Sequence, residues 1–291
     1  MLEILKRRAR EKQRLQRASE HQDKVRLVSS FYKQILRREP DPGGLETLLA
    51  EFSGPDWVDQ VLNAILESDE RRLNARNDAL RAMVGPRPGT IVGLGSSCLM
   101  ASLLGCAGWR TESYPFDWIF SDWPTIIDIL ETDFRDFLNP GFYLPNPANT
   151  GADRVAHQIY GMQPAMFQHH NVHLPEGHAY LTRCVERLRA LRGKRVVFAA
   201  AFHADRFNDE VCQNMASALL KYFGPQIIVL GFAIDKAANA PLPTIAERWN
   251  EGANRVFHFR PVSAWTHTRF DDPMDDVALL RTVREFGAFG S

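Results

Sequence analysis

Cys98 lies in VGLGSSCLMASLLGC (residues 92–106), where an apolar run breaks at Gly-Ser-Ser and resumes as a stretch of small and apolar residues. A strand ending at Leu94 and a helix starting near Cys98 would set the thiol beside unpaired backbone N–H groups, at the positive end of a helix dipole. That setting lowers a thiol pKa and supplies oxyanion donors from the same turn, so the expected chemistry is nucleophilic acyl transfer, with Gly95, Ser96 and Ser97 as candidate oxyanion or substrate-binding residues. Ser96 or Ser97 would also cap the helix. Two other readings stay open. Gly93-x-Gly95-x-x-Cys98 has the outline of a dinucleotide-binding loop with its third glycine replaced, and a small buried Cys on an apolar helix needs no chemistry at all.

Histidines are the next candidates. His169, His170 and His173, with His178 beyond, have spacing that a transition metal could use, but Pro175, Gly177 and Asn171 point to a loop and no nearby Asp or Cys completes a tetrahedral set. Neither a metal nor a cofactor is expected. His203 follows RVVFAAAF, at the strand end where α/β sites gather, and is a reserve candidate for a base. The basic run Arg183, Arg187, Arg189, Arg192, Lys194 and Arg195 reads mainly as a solvated face at a helix end.

The elements that must position these groups follow from periodicity. After GPRPG (residues 85–89), whose prolines and glycines cannot continue a helix, β-branched runs alternate with helical ones. The spacing predicts strands at TIVGLG, RVVFAAAF, QIIVLGFAI and RVFHF. It predicts helices over 97–105, 125–137, 179–191, 209–222, 245–250 and 275–286. This is an α/β pattern, a three-layer sandwich with a mostly parallel sheet, closer to flavodoxin-type or SGNH-hydrolase-type layers than to the helix-plus-barrel of papain. Residues 139–177 are rich in Pro, Asn, Gly and His, as functional loops often are.

Composition bounds the function class. The 291 residues hold 35 Lys and Arg against 35 Asp and Glu, so no global field favours nucleic acid. The four cysteines form no CxxC pair, which fits a reducing compartment. The first 17 residues carry seven basic and two acidic side chains and lack a signal peptide's apolar segment. No stretch has the apolar length of a membrane span. A cytoplasmic protein with no integral membrane segment is expected.

Residues 25–83 keep helical spacing in three or four short segments and should form a small all-α domain ahead of the α/β domain. Tyr32, Leu36, Arg38, Pro40, Asp41, Gly44, Leu45, Ser68 and Glu70 resemble a widespread bacterial helical domain of unknown function with the pattern Y-x-x-x-L-x-R-x-P-D-x-x-G-L, then S-x-E. Asp41 could be a calcium ligand, but in a Pro-Gly turn it reads more readily as a turn former. The expected organisation is a charged helix over 1–22, a helical domain over 23–84, a linker over 85–89 and an α/β domain over 90–291.

A second resemblance covers about residues 90–235. Gly95, Cys98, Ala101, Leu104, Ser113, Pro115, Phe116, Asp117, Trp118, Asp133, Phe134, Phe137 and Leu138 fall on the pattern L-G-x-x-C-x-x-A-x-x-L, S-x-P-F-D-W and D-F-x-x-F-L. Phe167 and His169 fall on a downstream F-x-H. The stretch resembles a bacterial family named for papain-like cysteine peptidases. The resemblance implies Cys98 as nucleophile and His169 as general base; His170, where relatives carry an acid, could take the place of His169. Asp117 is the candidate third member, because a carboxylate in an apolar Pro-Phe-Asp-Trp setting must find a partner. A turn hydrogen bond explains it equally, and Asn171, Asp205, Asp271, Asp272, Asp275 and Asp276 remain open. The expected function is a cysteine hydrolase or acyl-transfer enzyme acting on a small-molecule, peptide or glycan substrate. The alternative is a non-catalytic interaction or nucleotide-sugar-binding protein in cell-surface polysaccharide biosynthesis.

Overall fold

The computed structural model describes residues 2–145, 154–161, 166–206, 208–236 and 240–288. Its contacts divide the chain into two compact units, Met1–Asp78 and Ala79–Ser291. The first is helical. Helix α1 (Leu2–Phe31) runs unbroken past residue 22 and widens into a π-helical turn, Tyr32–Leu36; α2 (Pro42–Glu51), α3 (Trp57–Leu66) and α4 (Asp69–Val84) follow, and the units part within α4. Val28, Tyr32, Leu36, Val61 and Ile65 form its core.

The polar residues of its motif do structural work. The Gly44 N–H donates to Asp41 Oδ1 at 2.7 Å, capping α2, and a Cβ at Gly44 would meet Asp41 Oδ2 at 2.7 Å, which is why glycine stands there. Arg38 donates twice to Glu70, at 2.6 and 2.8 Å, with its guanidinium 5.2 Å from the Tyr32 ring centre. Asp41 is thus a helix cap.

The second unit opens with β1 (Ile91–Gly95), α5 (Leu99–Cys106), α6 (Trp123–Glu131) and the short pair β2 (Tyr143–Pro145) and β3 (Val155–His157). Then come α7 (Pro175–Arg189), β4 (Val196–His203), α8 (Asp209–Phe223), β5 (Ile227–Ile234), β6 (Thr244–Glu251) and β7 (Asn254–Arg260). A two-residue pair, β8 (Trp265–Thr266) and β9 (Arg269–Phe270), precedes the closing α9 (Pro273–Phe286). The main sheet has the order β1-β4-β5-β7-β6; the first four strands are parallel and β6 is an antiparallel edge. Residues 245–250, expected as a helix, are therefore the middle of β6. Their mostly exposed pattern has no strong period of its own, and pairing with β7 decides the conformation.

Strand alternation builds two apolar layers. Val92, Leu94, Phe198, Ala200 and Phe202 face α6, α7 and α8 through Ile126, Ile129, Val185, Leu188 and Leu219. Ile91, Val197, Ala199 and Ala201 face α5 and α9 through Leu99, Leu103, Leu280 and Val283. The result is the expected helix-sheet-helix sandwich with a largely parallel sheet. The D-F-x-x-F-L segment is a clamp: Asp133 and Phe134 take φ of 46° and 63°. The Asp133 carboxylate in turn accepts from Arg189, Arg192 and the Tyr222 hydroxyl, tying the end of α6 to α7 and α8.

Candidate active site

The turn after β1 is set by close backbone approach. Gly95 has φ of 153°, and a Cβ there would lie 2.6 Å from the Ala201 carbonyl oxygen on β4. Its own carbonyl accepts from Ser121 Oγ at 2.6 Å. The Ser96 N–H extends the sheet by donating to Ala201 O at 3.1 Å, so this donor, expected in an oxyanion site, is committed to the fold. Ser97 Oγ accepts from the Leu99 N–H at 3.4 Å. The residue at the N-cap position of α5 is Cys98 itself. Sequence spacing thus placed the thiol at a helix start, as expected from a strand-turn-helix.

Cys98 is 2 % exposed, and its Sγ lies 3.5 Å from Nε2 of His169, 71 positions along the chain. His169 sits in the segment before α7, and Phe167, buried and bridged to Ile119 and Val155, anchors that segment to the body of the unit. The His169 ring meets Trp118 edge-on, with centres 5.4 Å apart. Above Trp118 lies the Arg110 guanidinium, 4.8 Å from the ring centre. Arg110 Nη1 then donates to Asp117 Oδ2 at 3.3 Å, and the Tyr114 N–H donates to the same oxygen at 2.9 Å. A continuous line of contact therefore joins Asp117, Arg110, Trp118, His169 and Cys98.

Asp117 touches this line at its far end. Among the described residues its hydrogen bonds go to Tyr114 and Arg110, not to His169, and its buried Oδ1 has no partner. Burial raises its pKa to about 6, against the lowering effect of the Tyr114 N–H and of Arg110. Cys98 differs from expectation. Burial first, and the charge of Asp117 second, push its thiol up to about 11; the helix start and its own backbone N–H do not outweigh them. At rest the pair is a neutral thiol beside an imidazole.

The other candidates are held elsewhere. His170 packs on Tyr180, with ring centres 4.2 Å apart. His203 packs edge-on against Trp265 at 4.6 Å, and burial lowers its pKa. Asn171 accepts from the His173 N–H, Asp205 pairs with Lys236, and Asp272 caps α9. Asp275 accepts from Val262, Ser263 and the Ser263 hydroxyl, and Asp276 from the Phe270 N–H. Asp271 donates its N–H to Ala264 O. Among the described residues no group of three or more His, Cys, Asp or Glu side chains is placed to hold a metal ion. No described helix is long and apolar enough to cross a membrane. Arg110 and Trp118 are the contributors that the sequence did not single out for the site. Their one sequence signal is the S-x-P-F-D-W motif, which gives Trp118 no chemical role and leaves Arg110 outside it.

Residues 89–216 match the family model described as "Putative papain-like cysteine peptidase (DUF1796)", less than half of the chain but including Cys98, Asp117 and His169. No curated protein and no solved structure matches the chain.

Proposed function

We propose that the chain is a cysteine-dependent acyl-transfer or hydrolytic enzyme in which Cys98 is the nucleophile and His169 the general base. The observation that carries the reading is the 3.5 Å approach of Cys98 Sγ to His169 Nε2 at the end of β1, within the span matched by the cysteine-peptidase family. Because the thiol is held protonated, His169 Nε2 takes its proton as the sulfur attacks a carbonyl carbon. The carbonyl π pair moves to oxygen, where main-chain N–H groups at the start of α5 would stabilise it. Collapse expels the leaving group, which receives the proton from His169, and leaves a thioester on Cys98. Water or another acceptor, deprotonated by the same imidazole, then takes the acyl group.

Trp118 would hold the imidazole where triad enzymes use an Asp or Asn, with Arg110 and Asp117 fixing Trp118 in turn. A ring-on-ring contact of this kind would orient the imidazole toward the thiol. The test is labelling with a small cysteine-directed electrophile followed by peptide mapping. Native protein should be modified at Cys98 in the folded state, and His169→Ala should slow this by about a hundredfold or more, the usual range for a lost general base. Equal rates in the two proteins would remove the proposal.

A further inference from the structure

One short segment, residues 118–121, touches both members of the proposed pair. Trp118 lies edge-on to the His169 ring, Ile119 bridges to Phe167, and the Phe120 N–H donates to Met166 O at 2.9 Å, so three successive residues hold the run that leads to His169. Ser121 turns to the other partner. It is 2 % exposed, and its Oγ donates to the Gly95 carbonyl oxygen at 2.6 Å, in the turn that ends at Cys98. Asp122 then caps α6 by accepting from the Thr125 N–H at 2.9 Å, which anchors the far end of the segment.

We propose that Ser121 is a positioning residue: its hydroxyl holds the nucleophile turn in register with His169, from the same segment that places the imidazole. The Gly95–Ser96 peptide is gripped at both edges. Its oxygen takes the Ser121 hydroxyl and its N–H donates to Ala201 O on β4 at 3.1 Å, and because a peptide is planar the two bonds together fix its tilt. Gly95 itself supplies little restraint, since a residue without Cβ has the widest backbone freedom. Cys98 lies three residues on, at most ~10 Å along the chain, so a tilt of about 10° at this peptide moves the sulfur by about 1 Å. Misplacement of about 1 Å costs reacting groups up to about a hundredfold in rate. The role in catalysis rests on the acyl-transfer reading, while the hold on the Cys98–His169 contact does not. A purely structural hydroxyl predicts something different: its loss would change Cys98 labelling by the same factor whether or not the imidazole is present.

The test is a double-mutant cycle on the rate of Cys98 alkylation, in full-length native protein, Ser121→Ala, His169→Ala and the double variant. Ser121→Ala should label about tenfold more slowly than native, and the double variant no more slowly than His169→Ala alone. A second readout needs no reactivity. The His169 imidazole ¹⁵N signals, assigned by their loss in His169→Ala, should move in Ser121→Ala in the same direction as in Cys98→Ala, which removes the sulfur outright. Equal labelling of native protein and Ser121→Ala, or the same loss from Ser121→Ala in both backgrounds, would overturn the assignment and leave the acyl-transfer reading to stand on the His169 effect. A His169→Ala protein that labels as fast as native would remove the acyl-transfer reading; shifted His169 signals in Ser121→Ala would then keep Ser121 as the group that holds the contact, and unmoved signals would remove both.

Discussion

Two influences of opposite sign meet at Cys98: a helix start that favours a thiolate, and burial beside Asp117 that opposes one. The second wins, with the thiol at about 11. Asp117→Asn removes the charge while keeping an oxygen for the Tyr114 N–H, so the thiol should titrate at lower pH. The rate of iodoacetamide modification at pH 8 should rise, and an unchanged pH–rate profile would show that Asp117 does not act on the sulfur. The same carboxyl has a stability signature. Its folded-state value of about 6 lies above the usual 3.9, so the folded protein binds the proton more tightly between those values. Stability contributed through Asp117 is therefore present below about pH 4 and lost as pH rises through 6, by about 3 kcal/mol. Urea unfolding of Asp117→Asn should lack that part of the pH slope.

At this scale the place of Cys98 at a helix start is legible because a strand-to-helix break at Gly-Ser-Ser-Cys is local. Its partner is not, since nothing in the spacing of residues 71 apart brings His169 rather than His170 or His203 to the thiol; the motif resemblance alone favours it. The ring contacts through Trp118 and Arg110 are equally non-local and left no pattern to read.

Among the elements, the segment that carries His169 depends on how α7 begins. Leu174 occupies the N-cap position and Pro175 the first turn, and a Cβ at Gly177 would lie 2.1 Å from the Asn171 carbonyl oxygen. That approach cannot be relieved by a side-chain rotation, because the obstacle is backbone. Gly177→Ala should push residues 169–174 away from α7 and displace the imidazole. The expected outcome is loss of most Cys98 labelling with a helix content close to native by circular dichroism; full labelling would detach Gly177 from the site. In the sequence this glycine, with Pro175 and Asn171, points to a loop. The loop is real, and the helix starts inside the same run, because Pro is favourable in a first turn while Gly allows close packing. The edge strand β6 escaped for a related reason: its conformation comes from its neighbour.

For the molecule as a whole, chain order explains where chemistry collects. Parallel strands β1, β4, β5 and β7 all end on one edge of the sheet, so Cys98 after β1, His203 as the last residue of β4, and Asp205 and Asp235 after β4 and β5 gather there. The layer architecture was readable because each buried strand is a short β-branched run flanked by glycine or basic turns. The site itself and both apolar layers belong to the unit beginning at Ala79. The helical unit has its own core, and its motif residues are spent on a helix cap and an Arg–Glu pair.

The central claim is that the Cys98–His169 pair performs acyl chemistry, and intact-protein mass spectrometry after mixing with a small activated acyl thioester tests it most directly. One acyl group per chain is expected, mapped to Cys98, absent in Cys98→Ala and formed more slowly by about a hundredfold or more in His169→Ala. No adduct on the native protein, or an adduct that forms as fast without the imidazole, would contradict it.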